Sequence, residues 1–153
     1  MNELPSIHSL NLTVAELQAR IDDSPFSVWL GLRAIAVHPQ VVEFEVPWRS
    51  EFIGTTRLSR VHGGLIAALV DASCGYTLMT RTGRTLSTVD LRIDFHKGAG
   101  IGNLRLEGYA VHVGRKLSCA DIKVFDENST LLASGRGVYY TPSEHAGSRK
   151  ARE

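Results

Sequence analysis

The chain is poor in the features that mark several protein classes. It has 2 cysteines in 153 residues, Cys74 and Cys119, far apart and outside any CxxC or Cys/His spacing. That excludes a disulfide framework and gives no metal-ligand pattern, and two reduced thiols fit a reducing, cytoplasmic setting. Neither sign of charge dominates: 17 Lys and Arg face 16 Asp and Glu, interspersed, for a net charge of +1. No nucleic-acid partner is expected from such a balance. Residues 1–9 carry acidic and polar side chains and no apolar leader core. No stretch reads as long enough to cross a bilayer, so no membrane partner is expected. Internal repeats and linker-like segments are also missing. One domain is expected at this length, and 43% hydrophobic residues suffice for its core.

What is present concentrates in one segment, Val61-His62-Gly63-Gly64-Leu65-Ile66-Ala67-Ala68-Leu69-Val70-Asp71. It is an apolar run that opens on two glycines and carries a carboxylate further on. A fully buried Asp is costly unless it is paired or used. A Gly-Gly pair opening a helix leaves backbone N–H groups bare at the positive end of the helix dipole. One end of the segment can hold a developing negative charge, while Asp71 offers a base or nucleophile. That combination suits acyl transfer or hydrolysis.

Around this segment the pattern predicts an α+β domain. Thr13 with Glu16 reads as a capping box, and Val14, Leu17 and Ile21 recur at helical spacing. Residues 22–25 end that helix, and residues 26–30 add a further turn. Residues 32–37 and 41–46 alternate as a hairpin about His38-Pro39-Gln40. Residues 47–60 form a polar loop, residues 62–80 a long buried helix, and residues 82–84 its stop. Four strands follow, read as a meander over residues 89–95, 104–113, 119–125 and 131–140. Short turns imply an antiparallel sheet, and the sheet is expected to curve around the long helix. Residues 1–11 and the tail from 142 are expected to be poorly ordered.

His62-Gly63-Gly64 followed by Asp71 resembles the H-G-G-x₆-D signature of hotdog-fold acyl-CoA thioesterases, and within them the phenylacetate-pathway (PaaI-like) type. Ser87-Thr88-Val89-Asp90-Leu91, Val113-Gly114-Arg115-Lys116 and Ala133-Ser134-Gly135-Arg136-Gly137 are similar to the family's later segments, in the same order. The resemblance spans about residues 28–141, leaving 1–27 as an N-terminal extension with a short helix and 142–153 as a flexible tail. It implies that the Gly63 N–H polarises a thioester carbonyl and that Asp71 is general base or nucleophile. It also implies that Thr88 places the attacking water, that His62 shapes the site, and that Gly64 lies beside the substrate. The family's Asn or Gln six residues before the histidine is Thr56 here, in a loop with Arg57 and Arg60. Those arginines, with Arg115 and Lys116 in a later turn, are candidates for coenzyme A phosphates. Coenzyme A enters as part of the substrate, and no separate cofactor or metal is expected.

The spacing has its own consequence. Gly63 and Asp71 lie eight residues apart, about 12 Å along one helix at ~1.5 Å per residue. A reacting carbonyl must lie about 3 Å from both oxyanion donor and nucleophile. Both can act on one carbonyl only if the glycine comes from a second copy, in a two-fold homodimer with composite sites. Two dimers could stack further through the exposed face of Asp90, Arg92 and Asp94. Two other readings compete. The same fold can bind an acyl thioester without turnover, which a buried carboxylate disfavours. A hydratase or dehydratase of this fold would use an Asp and His at D-x₄-H spacing, which is missing around the helix.

Overall fold

The computed structural model describes residues 8–142. The expected disorder over residues 1–7 and the tail over 143–153 lie outside the described residues. Within the segment expected to be poorly ordered, Asn11 is tied to the end of α3. The Asn11 N–H donates to Thr80 O at 2.7 Å, and its side-chain amide reaches Arg81 O.

Helix α1 (Val14–Asp22) starts where its local chemistry says it must. The Glu16 N–H donates to Thr13 Oγ1 at 3.3 Å, and the Glu16 carboxylate accepts the Thr13 N–H at 2.8 Å. Leu17 and Ile21 on one face are fully buried. Ser24 caps α2 (Pro25–Leu30), with proline at the position where its missing N–H costs nothing. The hairpin of β1 (Arg33–Val37) and β2 (Val42–Val46) follows, with Val42, Phe44 and Val46 buried. The segment read as a polar loop holds more order than its composition suggests. It contains a 3-10 turn (Ser50–Phe52) and a two-stranded ribbon, β3 (Ile53–Thr55) with β4 (Arg60–Val61).

Helix α3 (Gly63–Thr82) runs 20 residues from the His62 N-cap to the Gly83 C-cap. The expectation that no stretch reaches membrane-spanning length needs correction. By length and composition α3 qualifies, with a mean hydropathy of 1.2 over its best window. Here it packs against a sheet, with 56% of that window buried. Its C-terminal half is the more buried, polar residues included. Ser73, Thr77, Thr80 and Arg81 are all buried.

The remaining strands are β5 (Ser87–Phe95), β6 (Leu104–His112), β7 (Leu117–Phe125) and β8 (Leu131–Tyr140). They and the first hairpin make one antiparallel sheet in the order β1-β2-β6-β7-β8-β5. The four-strand meander is therefore wrong in one connection. β6, β7 and β8 do meander, but β5 pairs with β8 at the far edge and β6 pairs with β2. The chain crosses over between β5 and β6, so local turn signals could not reveal the pairing. The sheet wraps α3, which contacts β5 through β8. At its closest approach the helix needs glycine opposite. A Cβ at Gly108 on β6 would lie 2.0 Å from Thr77 Oγ1.

Candidate active site

Asp71 sits at the middle of α3 and is half-buried rather than fully enclosed. Two hydroxyls from the sheet hold its Oδ1. Thr88 Oγ1 donates to it at 2.9 Å and the Tyr139 hydroxyl at 2.7 Å. The same Tyr139 hydroxyl lies 2.6 Å from the backbone oxygen of Asp71. Oδ2 accepts no hydrogen bond among the described residues.

The sheet register explains the clamp. Thr88 on β5 and Tyr139 on β8 are directly paired across neighbouring strands. Strict alternation would put Thr88 on the face opposite Leu91 and Ile93, which pack on the core. The register shifts between Thr88 and Asp90, which leaves Val89 as the extra residue of a β-bulge, 59% exposed. The bulge turns Thr88 to the helix side, toward the carboxylate. On β8 the helix-facing positions Gly135 and Gly137 leave space. A Cβ at Gly137 would lie 2.6 Å from the Tyr139 ring and 3.1 Å from Cys74 Cβ. Tyr139 is only 2% exposed. Burial raises its phenol pKa, with Cys74 and the Asp71 carboxylate adding to the effect, so the hydroxyl keeps its proton. Burial likewise pushes the Cys74 thiol up to about 12, which leaves it protonated and inert at neutral pH.

Asp71, Thr88 and Tyr139 line a cavity of about 240 Å³ whose other walls include Phe26, Ala68, Tyr76, Met79 and Leu86. Its walls are mostly apolar, the polar exceptions being the clamp, Thr85, and the hydrogen-bonded pair of Ser27 and Tyr76 hydroxyls, 2.9 Å apart. A second cavity of about 360 Å³ adjoins it through Phe26 and Ala68 and reaches Trp29, Phe52, His62 and Gly64.

At the start of α3 the two glycines differ in kind. The Gly64 N–H donates to His62 Nδ1 at 2.8 Å, so that amide is occupied by the cap. His62 Nδ1 is therefore an acceptor, and the ring serves as a helix cap rather than as a proton donor through that nitrogen. The Gly63 N–H has no acceptor among the described residues. It lies beside the Phe95 ring, where a Cβ on Gly63 would sit at 3.6 Å. Phe95 is itself 58% exposed.

Of the residues singled out by sequence, one chain brings Asp71 and Thr88 together. His62, Gly63 and Gly64 stand apart at the helix start. Thr56 and Arg57 are exposed in the turn over residues 56–59 and line neither cavity. Arg60 is engaged elsewhere, donating from Nη1 to Gly98 O at 2.7 Å. Arg115 and Lys116 are exposed in the β6–β7 turn and also line neither cavity. Tyr139 escaped the sequence reading. Its signal was the β8 alternation of Ala133, Gly135, Gly137 and Tyr139, which brings one phenol onto a face otherwise made of small residues.

The family model of the thioesterase superfamily matches residues 58–133. A solved structure of a protein from that superfamily superposes with a TM-score of 0.82 at 33% identity, covering 84% of this chain and 98% of that one. A Thermoplasma acidophilum protein named provisionally as an esterase is 28% identical over 101 residues, 65% of this chain and 74% of that protein. The proofreading thioesterase EntH of Cronobacter sakazakii is 29% identical over 79 residues, 50% of this chain and 57% of that protein. The chain belongs to the thioesterase superfamily and has its hotdog fold, a curved antiparallel sheet around one long helix. That membership supports thioester hydrolysis as the general chemistry.

Proposed function

We propose that the protein is an acyl-CoA thioesterase, of the phenylacetate-pathway type in its motifs, with residues 28–141 as the catalytic domain. The observation that carries this reading is the Asp71 carboxylate, held through Oδ1 by Thr88 and Tyr139 and left open at Oδ2 on the wall of a mostly apolar cavity. The acyl group lies in that cavity. Asp71 Oδ2 takes a proton from a water, and the resulting hydroxide adds to the thioester carbonyl. The tetrahedral oxyanion is held by a Gly63 N–H. Collapse breaks the C–S bond, and the proton held by Asp71 passes to the departing thiolate. Direct attack by the carboxylate, through an acyl-enzyme anhydride, uses the same groups.

The helix spacing of about 12 Å separates Gly63 from Asp71 within one chain. The reading therefore requires a homodimer in which each carbonyl meets Asp71 of one copy and Gly63 of the other. The coenzyme A phosphates are assigned to Arg57, Arg60, Arg115 and Lys116, and the substrate-side contact of the loop to Thr56 and Gly64. A cytoplasmic setting accords with two unpaired cysteines.

A thiol-release assay over short, medium, long and aryl acyl-CoAs, with Asp71→Ala run alongside, tests the reading. Turnover of one class with a loss of about 10²-fold or more in Asp71→Ala supports it. Binding of acyl-CoA without turnover would replace it with a non-catalytic acyl-CoA-binding role.

A further inference from the structure

We infer that Tyr139 is a positioning residue of this site: its hydroxyl fixes the Asp71 side chain through Oδ1 and thereby presents Oδ2 to the substrate. The inference rests on the thioesterase reading for its consequence and on geometry for its substance. A lone Thr88 bond at 2.9 Å would leave the carboxylate free to swing about it. The Tyr139 hydroxyl removes that freedom. Its single proton is shared between Oδ1 and the backbone oxygen of the same residue, at 2.7 and 2.6 Å, which holds the side chain against its own helix turn.

The phenol is built into place. It is 2% exposed, and its ring fills the space that Gly137 leaves on its own strand and Gly75 leaves on α3. A Cβ at Gly75 would touch the ring at 3.4 Å. A Tyr hydroxyl that is buried this fully normally needs a partner, and here the partner is the proposed catalytic carboxylate. No proton leaves Tyr139 in this role. The chemistry stays with Asp71, and the effect of Tyr139 falls on the step in which Oδ2 must point at water or carbonyl.

Tyr139→Phe removes the hydroxyl and keeps the ring. The expected result is a fall in kcat of about 10- to 100-fold, the worth of a hydrogen bond to a charged group. KM should stay within about two-fold, because the substrate is not touched. In the Asp71→Ala background, Tyr139→Phe should cost nothing further. A packing role alone would not produce that dependence. The second arm needs no turnover. With tyrosine labelled with ¹³C at Cζ, the four tyrosines give four resonances. Tyr76→Phe, Tyr109→Phe and Tyr140→Phe identify three of them, which leaves Tyr139 even if Tyr139→Phe does not fold. The Tyr139 resonance should move in Asp71→Ala. An unchanged kcat in folded Tyr139→Phe, with an active parent, would overturn the inference. So would a Tyr139 resonance that Asp71→Ala leaves in place. If the parent hydrolyses no acyl-CoA, the thioesterase reading fails separately, and the resonance alone decides whether Tyr139 holds Asp71.

Discussion

Replacing Gly63 by proline deletes one N–H at the start of α3 and disturbs almost nothing else. Gly63 is the first helical residue, where proline is well tolerated and its fixed φ suits the helix. The preceding His62 has φ −65° and ψ 131°, the extended conformation that a residue before proline adopts. Gly63 gives no hydrogen bond among the described residues, and the space where a side chain would enter meets only the Phe95 ring at 3.6 Å. The His62 cap uses the Gly64 amide and survives. Folding should thus be preserved, with about 0.4–1 kcal/mol of added stability from the stiffer unfolded chain. If the Gly63 N–H holds the oxyanion, kcat should fall by about 10²- to 10³-fold. Gly63→Ala, which keeps the N–H, should retain activity. Thiol release on the preferred acyl-CoA, with a thermal melt beside it, reads both. Mixing Gly63→Pro with Asp71→Ala then tests the composite site. Random pairing makes half the dimers mixed, each with one intact site of two, so roughly a quarter of the parent activity should return. A folded Gly63→Pro with undiminished kcat refutes the oxyanion role. Failure to recover activity after demonstrated subunit exchange refutes the shared site.

Two further predictions concern the fold beneath the site. Gly108→Ala places a methyl 2.0 Å from Thr77 Oγ1 and should cost about 1–3 kcal/mol in a denaturant titration. Thr77→Ala in the same chain should remove most of that cost, and simple additivity would show that α3 does not press on β6 there. Burial holds the Cys74 thiol at about 12 in the folded chain against an unfolded value of about 8.5. The folded state therefore binds more protons across that interval. The stability contributed by the protonated thiol is complete below about pH 8.5 and is lost as pH rises toward 12. Urea midpoints from pH 8.5 to 11 should fall more steeply for the parent than for Cys74→Ala, and parallel slopes would refute the assignment.

Elements set by neighbours in sequence were legible. The Thr13 and Glu16 box and the His62 start of α3 follow from contacts within a turn and are observed where the sequence puts them, while α1 runs on to Asp22 and α3 to Thr82, each slightly past its expected end. Elements set by distant partners were not. Nothing near β5 says that it pairs with β8, where the partner of Thr88 is Tyr139, with β6 and β7 between them along the chain. The bulge at Val89 reverses the side on which Thr88 falls, and a period-two reading of residues 87–95 cannot supply it. Tyr139 reaches Asp71 across 68 residues of sequence. Arg81, in the last turn of α3, is fully buried, with Nη2 on His38 O at 2.9 Å and with Nε and Nη1 unpartnered among the described residues. Its guanidinium is held by the β1–β2 turn, and Asn11 binds the backbone at the same end of α3, long-range contacts that no local pattern encodes.

The two halves of the proposed chemistry also differ in how far one chain completes them. The base is finished. Asp71 has its oxygens sorted by Thr88 and Tyr139, and its cavity has walls from α2, α3 and the sheet. The oxyanion half is open. Among the described residues the Gly63 N–H has no acceptor, and beside it lies the end of β5, an edge strand that pairs there on one side only. Phe95 and Val89 on that strand are 58% and 59% exposed. An unpaired edge carrying large apolar side chains is a liability in a lone chain and an advantage where a second copy covers it. Because β5 carries Thr88 at its start and Phe95, beside Gly63, at its end, an antiparallel pairing of two β5 edges would carry the Thr88 end of each toward the Phe95 end of the other. The contact that would quench the edge is thus the one that would bring the finished half of one site to the open half of the next.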